Sequence, residues 1–459
     1  MNVEQPFALV VGGGPAGSEA ARILGQAGKP VVLVEKDRPG GRALWHSLIP
    51  SKAWLSFAET LDRLEPWSPG LPFPETDQPL ASGILQRLGE IQNALADRLQ
   101  ADLQQYNVRV VQGEARFLDA RTILVEEPDG KALHFKPQYI LLASGSVPVF
   151  PEGIRPDGQR ILAPRFMSAL QNIPSSMVVL GCGVTGCEFI YLFNRLGVQV
   201  TAVTDMEQIL PRMSLTMARR LEAHLAGRGV RFIKQHAALR AENTGAKVQV
   251  QLAWGKVVEA EAAFVALGRR PDLSGLDLQA AGLVLNGEGG VGIDRQCRTN
   301  REHIFAAGDA IGAPMLANRA RLQARIAALN MLAPGSATFR PEQVVEAVYT
   351  HPTAARVGWQ EEAAREQFPG DTAWLELPYR LSDRAYLEGA EEGLLRILYQ
   401  PSTGRILAAE ALGEHAAELL TPVALLIRRQ GKLEELAALA PANPTYSELF
   451  LFAGKPRFD

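Results

Sequence analysis

Cysteine is scarce in this chain, with three in 459 residues, which excludes a disulfide framework and fits a reducing compartment. Long apolar runs are also missing. Stretches such as Tyr139–Leu142 and Val423–Ile427 fall far short of the roughly 20 residues that a membrane span needs. Charge of one sign is not in excess: 47 Lys+Arg stand against 50 Asp+Glu, a formal charge of −3, which argues against a nucleic-acid binder or a polybasic membrane anchor. The opening MNVEQPF has neither a basic start nor an apolar signal core. Short tandem repeats and low-complexity segments are absent. What remains is a cytoplasmic, soluble protein with no membrane span, no nucleic-acid partner and no expected metal. At about 150 residues per domain its length suggests roughly three domains, and 47% hydrophobic residues supply a large core.

Glycine is plentiful, and many of its residues fall in two places. Phe7–Val11 reads as a buried parallel strand leading into Gly12-Gly13-Gly14-Pro15-Ala16-Gly17, a helix to Ala27 stopped by Gly28, and a second strand Val31–Val34 ending in Glu35. In such a GxGxxG turn the first glycine permits the tight turn and the second lets backbone approach a pyrophosphate. The third lets helix and strand pack closely, with the helix N-terminus facing the anion. Glu35, 18 residues past Gly17, stands where a carboxylate accepts the hydroxyls of an adenosine ribose. The unit recurs: strand Met177–Leu180, Gly181-Cys182-Gly183-Val184-Thr185-Gly186, a helix to Leu196, and strand Val198–Val203. The place of Glu35 is taken here by Thr204, with Asp205 beside it. Two dinucleotide loops imply two cofactors that meet, and the usual chemistry of such a pair is hydride transfer from a nicotinamide to a flavin.

Further motifs follow in order: Ile49-Pro50-Ser51-Lys52, Gly113-Glu114-Ala115, Leu142-Ala143-Ser144-Gly145-Ser146-Val147-Pro148, Glu188 after the second loop, Ala266-Leu267-Gly268-Arg269-Arg270-Pro271, Ile304-Phe305-Ala306-Ala307-Gly308-Asp309 and Pro314-Met315-Leu316-Ala317. Together with the two loops they resemble the two-dinucleotide flavoprotein disulfide reductases, the group of dihydrolipoamide dehydrogenase, glutathione reductase and mercuric reductase. The resemblance covers almost the whole chain. It implies an α/β fold with two Rossmann-like dinucleotide-binding domains and a C-terminal α+β dimerisation domain. The FAD-binding domain would comprise 1–148 and 271–335, the NAD(P)-binding domain 149–270, and the interface domain 340–459 of a homodimer. It also implies FAD on Gly12, Gly14, Pro15, Ala16, Gly17, Glu35, Lys36, Arg42, Lys52, Ala115, Ser144, Gly145, Asp309, Met315, Leu316 and Ala317. NAD(H) or NADP(H) would lie on Gly181, Gly183, Val184, Thr185, Gly186, Glu188, Thr204 and Gly268. Lys52 and Glu188 would form an ion pair beside the flavin where nicotinamide stacks, and they are the expected catalytic residues.

The departures from that pattern decide the chemistry. The family's redox cysteine pair, C-x4-C just before IPSK, is replaced by Ala43 and Leu48, which form no thiolate. The acid–base histidine of its C-terminal HPTxxE motif is Asn443, followed by Pro444 and Thr445, with Glu448 retained; an asparagine shuttles no proton at neutral pH. Cys182 and Cys187 share the C-x4-C spacing but sit inside the second glycine loop, where small residues are wanted. Cys297 has no cysteine or histidine close by. His351-Pro352-Thr353 aligns with a segment that opens the interface domain and packs there without chemistry.

With NAD(P)H-to-FAD transfer retained and the dithiol exit lost, the electrons need another acceptor. One reading is a quinone or diaphorase-type acceptor on an apolar face made by Ala43, Leu44, Trp45 and Leu48, rimmed by Asn443 and Glu448 of the partner subunit, with His46 as a candidate proton donor. A second is a further nicotinamide nucleotide, as in the soluble pyridine nucleotide transhydrogenases. A third, of a different class, is a degenerate FAD-binding protein with a binding or scaffold role. No arginine follows Thr204-Asp205 until Arg212, and Asp205 repels a 2′-phosphate, which favours NADH over NADPH.

Overall fold

The structure is a computed structural model that describes residues 3–65, 67 and 80–454. It divides into two compact units, one of Met1–Ser51, Leu85–Val149 and Gly268–Phe339, the other of Lys52–Ile84, Phe150–Leu267 and Arg340–Asp459.

In the first unit a five-stranded parallel sheet runs in the order Ile304–Ala306, Tyr139–Leu142, Ala8–Val11, Val31–Glu35, Arg109–Gln112. Its central strands are apolar up to Glu35 at the end of Val31–Glu35, as sheets covered on both faces are. From Ala8–Val11 the chain crosses to Val31–Glu35 on one side, whereas Tyr139–Leu142 pairs on the other. The carboxyl end of Ala8–Val11 is therefore the switch point where ligands bind in open α/β sheets. The Pro15–Gln26 helix leaves from this point and packs against the Ala317–Leu332 helix.

The second unit repeats the plan. Its parallel sheet runs Ile161–Leu162, Ala262–Val265, Ser176–Leu180, Gln199–Val203, Arg231–Ile233, and the Val184–Arg195 helix leaves the end of Ser176–Leu180. The two turns share one steric solution. Gly12 and Gly181 take φ of +103° and +97°, and a Cβ on Gly17 or Gly186 would stand 1.8 Å from the carbonyl oxygen of Gly12 or Gly181 respectively. Only glycine fits those places.

The same unit carries an antiparallel sheet in the order Glu346–Val348, Ala354–Gly358, Ile406–Leu412, Leu394–Tyr399, Ala373–Pro378. One face is apolar, through Ala355, Val357, Leu395, Ile397, Ala409 and Ala411, and packs under the Ala416–Arg429 helix. On the other strand positions, directly opposite residues form a row of alternating sign, Glu346–Arg356–Glu410–Arg396–Glu376, one from each strand. Among the described residues no helix is long and apolar enough to cross a membrane.

Candidate functional site

The first glycine loop is tied to the Glu35 carboxylate and to the turn at Gly40. Gly13 donates its N–H to Glu35 Oε2 at 2.7 Å, Asp37 donates its own to Oε1 at 3.0 Å, and Gly40 donates to Gly13 O at 2.8 Å. Glu35 is buried and its carboxylate retains lone pairs beyond those two contacts. A Cβ on Gly14, the N-cap of the Pro15–Gln26 helix, would meet nothing within 4 Å, so the helix N-terminus faces open space of the kind that takes a pyrophosphate. The hydroxyl oxygen of Ser144 is buried with no hydrogen-bond partner among the described residues. An orphaned hydroxyl in the predicted cradle, beside a free helix N-terminus, fits a polar ligand such as FAD.

Ser146 Oγ donates to Asp309 Oδ2 at 2.5 Å and accepts from Arg269 Nε at 2.8 Å. Lys36 and Arg42, expected on the cofactor, meet on Asp272, at 3.4 and 3.1 Å. Burial raises the Asp272 pKa, yet Ser274 and these two cations outweigh it and leave the carboxyl below its usual range. Ala115 lies buried on the Glu114–Phe117 strand. Gly145, like Gly268 in its own crossover, stands where a Cβ would meet nothing. Met315 and Leu316 lead into the helix that begins at Ala317, with Leu316 its N-cap.

The second loop copies the first. Gly183 caps the Val184–Arg195 helix and faces open space, with Val184 and Thr185 in the first turn. Thr204 is buried, and its hydroxyl accepts the Met206 N–H at 3.2 Å. Along this helix Glu188, Tyr191 and Arg195 share one face, since they are three and four residues apart. Glu188, 4% exposed, accepts from Lys52 Nζ at 2.6 Å and from the Tyr349 N–H at 3.1 Å. Lys52 Nζ also stands 4.5 Å from the centre of the Tyr349 ring, a cation–π contact. Ten residues along its own helix, Asp62 is buried, accepts from Tyr191 at 2.6 Å and from Arg228 at 3.0 Å, and is ion-paired with Arg195 at 2.8 Å. The Leu48–Leu64 and Val184–Arg195 helices are thus joined at two levels. Tyr349 and Asp62 were not singled out by sequence reasoning; Tyr349, two residues before His351, was the findable one.

The acceptor-side expectations fare unevenly. Leu44 is buried, with its carbonyl accepting from Gln92 Nε2 at 2.9 Å, so it serves as core and not as an open apolar wall. A Cβ on Gly40 would contact its side chain, which shows how tightly the turn closes over it. Trp45 donates its indole N–H to Pro39 O at 3.0 Å and lies under the Arg38 guanidinium. His46 stands 3.5 Å from the exposed carboxylate of Asp37. Asn443 Nδ2 donates to Glu448 Oε1, and Ser382 Oγ donates to Glu448 Oε2 at 3.1 Å. The two residues expected on the acceptor rim are thus bonded to each other.

The three cysteines are free and buried. Burial pushes the Cys187 thiol well up and those of Cys182 and Cys297 to about 12, and Cys187 Sγ donates to Cys182 O at 3.3 Å. His351, expected only to pack, has its Nδ1 2.9 Å from Glu414 Oε1. Among the described residues Glu388, Glu414 and His415 gather ligand atoms within 4.8 Å, but Glu414 is committed to His351 and Glu388 accepts from Tyr446.

Comparison with known proteins agrees with this architecture. Residues 8–324 match the pyridine nucleotide-disulphide oxidoreductase family and residues 344–453 its dimerisation domain. The chain is 32% identical to a dihydrolipoyl dehydrogenase of Bacillus subtilis over 96% of both chains. It is 31% identical to an NAD(P)H dehydrogenase (quinone) of Mycobacterium tuberculosis over 96% of this chain and 91% of the relative. The crystal structure of LpdA from Mycobacterium tuberculosis superimposes with a TM-score of 0.91 at 30% identity, covering 98% of this chain and 99% of the other. Two dinucleotide loops, the motifs between them and a matching C-terminal domain place this chain in the pyridine nucleotide-disulphide oxidoreductase family, whose members are FAD-binding, NAD(P)-dependent oxidoreductases.

Proposed function

We propose that this chain is an FAD-dependent NAD(P)H oxidoreductase that passes electrons to a small acceptor of quinone type and does not reduce disulfides. We assign FAD to 1–148 and 271–335, the nicotinamide nucleotide to 149–270, and a homodimer interface to 340–459. The observation that carries the reading is a pairing of presence and absence. The Lys52–Glu188 ion pair is closed at 2.6 Å, while Ala43 and Leu48 stand where a redox disulfide would be and Asn443 where the acid–base histidine would be. The quinone-reductase relative at 31% identity supports the choice of acceptor.

Bound FAD would supply the chemistry of accepting a hydride from NAD(P)H and releasing two electrons to the acceptor. The protein's part is positional. Glu188 and Tyr349 fix the Lys52 ammonium, which favours negative charge where it points. Ser144 offers a hydroxyl without a partner among the described residues, and the two helix N-termini offer free N–H groups to the pyrophosphates. Asn443, held by Glu448, donates or accepts a hydrogen bond at every working pH, and the proton that completes a hydroquinone comes from solvent.

Anaerobic titration tests this directly. About one equivalent of NADH or NADPH should bleach the flavin with no long-wavelength thiolate band, and a quinone should reoxidise it. Lys52→Met should keep FAD and lose nucleotide-driven bleaching by roughly 100-fold, in the range expected for one positioned charge. Reoxidation by NAD(P)+ alone would favour transhydrogenation. A yellow protein that neither nucleotide bleaches would sink the enzyme and leave a flavin-bound scaffold.

A further inference from the structure

Past the second glycine loop the chain doubles back over it. Leu210 donates its N–H to Cys182 O at 2.9 Å, and Gln208 Nε2 donates to Met213 O at 3.2 Å. The segment 204–213 thereby borders the position where Rossmann units meet the adenosine ribose. Its charges are Asp205 and Glu207, both exposed, and a single cation, Arg212. A 2′-phosphate arriving here needs a guanidinium, whose planar fork suits it.

Arg212 is already engaged. Its Nε and Nη2 donate to Glu346 Oε2 and Oε1 at 3.0 and 2.8 Å, a two-pronged pair that uses the face a phosphate would take. Glu346 is the first member of the alternating row in the antiparallel sheet, and its Oε1 also accepts from Arg356 Nη1 at 2.9 Å. Arg356 is 5% exposed, so the carboxylate is fixed from behind and Arg212 comes to it. The next anchor in the row reinforces this placement: Ser214, N-cap of the Leu215–Gly227 helix, donates its N–H to Glu410 Oε1 at 2.9 Å and its hydroxyl to Oε2.

We propose that Glu346 is a specificity-determining residue that reaches the nucleotide site from outside its Rossmann unit: by holding Arg212 it withholds the one guanidinium of segment 204–213 from a 2′-phosphate, so that the chain selects NADH over NADPH. With Arg212 neutralised, and Lys234 beside the segment paired with Glu222 at 2.8 Å, the charges left on the segment are Asp205 and Glu207, and both repel a phosphate dianion. The inference rests on the nucleotide-dependent reading above and names its reductant.

Calorimetry on the FAD-loaded protein tests it, with 5′-AMP and 2′,5′-ADP as probes and the NADPH-to-NADH ratio of kcat/KM as a second readout. The wild type should bind 5′-AMP at least about tenfold more tightly. Glu346→Gln should raise 2′,5′-ADP affinity roughly tenfold with little change for 5′-AMP, the scale of one charge-assisted contact. Adding Arg212→Leu to that variant should abolish the gain. An unchanged ratio in Glu346→Gln, or a wild type that already prefers the 2′-phosphate, overturns the proposal. If Glu346→Gln fails to fold, Arg212→Leu alone decides: the wild-type preference should be untouched, and weaker 2′,5′-ADP binding would refute the tether. Equal bleaching by NADH and NADPH would end this inference while leaving the oxidoreductase intact, whereas no bleaching by either would end both.

Discussion

Replacing Gly186 by alanine would put a carbon 1.8 Å from the carbonyl oxygen of Gly181 and 2.7 Å from its carbonyl carbon. Both obstacles are backbone, so no flexible side chain can swing away. To restore even a tight contact of about 3.0 Å the first turn of the Val184–Arg195 helix must retreat by roughly 1 Å, an overpacking strain of about 1–3 kcal/mol. The same retreat draws the helix N-terminus off the pyrophosphate. Charge-assisted hydrogen bonds of this kind contribute about 1.5–3 kcal/mol each, so loss of one or two weakens nucleotide binding by roughly tenfold to 100-fold or more. The assay is anaerobic stopped-flow reduction of the flavin over a range of NADH, with FAD content measured from the visible spectrum. Gly186→Ala should stay yellow and need far more NADH. Gly17→Ala, which meets the Gly12 carbonyl oxygen at the same 1.8 Å, should instead lose FAD. A folded Gly186→Ala protein with NADH affinity within threefold of wild type would refute the assignment of the second loop.

Three further outcomes are expected. With burial holding the Cys182 and Cys297 thiols at about 12 and Cys187 well above its ordinary value, almost no thiolate exists at pH 8; iodoacetamide should leave NADH-dependent dye reduction intact, and loss of half the activity would show an exposed reactive thiol. Asp62→Ala leaves Arg195 and Arg228, which are 19% and 27% exposed in their side chains, with only the exposed Glu65 carboxylate at 3.4 and 3.8 Å, and should cost about 3 kcal/mol. That is a fall in Tm of about 5–10 °C by differential scanning fluorimetry, and a fall under about 2 °C would count against the buried anchor. Burial opposes the charge on His351, but the Glu414 carboxylate and, more weakly, Asp62 outweigh burial and Arg228, so its pKa rises above the ordinary value. The stability it contributes is therefore complete below about pH 6.5 and lost as pH climbs through the raised value. The urea midpoint should drop between pH 6 and 9 more in wild type than in His351→Gln, and parallel curves would contradict the pairing.

Much of the fold was legible because its decisive features are local. A glycine loop between a strand and a helix announces itself by spacing, and it does so twice here. The Lys52–Glu188 pair was reachable only through the family resemblance, since 136 residues separate the partners. Where the reading went astray, tertiary packing outweighed sequence character. Leu44 looked like pocket lining because it follows a vacated cysteine position, yet the turn at Gly40 closes over it. His351 was expected only to pack because its segment aligns with one that opens the interface domain, and its acid partner lies 63 residues away in the chain. The Glu346-to-Glu376 row was invisible for a different reason. Its members sit on strands whose spatial order is not their chain order, so no period or motif connects them.

That row also acts as a key for strand pairing. A strand that slips by one residue turns its whole pattern over, which the apolar face already forbids. A slip by two residues keeps the faces and would pass unnoticed in a uniformly apolar sheet. Here such a slip in Ala354–Gly358 would put Ala354 or Gly358 in the place of Arg356 and leave Glu346 and Glu410 flanking a gap. Each register of this kind strands buried charge, so the alternating signs select one alignment among several of similar apolar content. Inverting all five signs would keep that alignment while turning Glu346 from a tether into a source of repulsion for Arg212. Assembly of the sheet and choice of nucleotide can therefore be separated by mutation, although one line of side chains serves both.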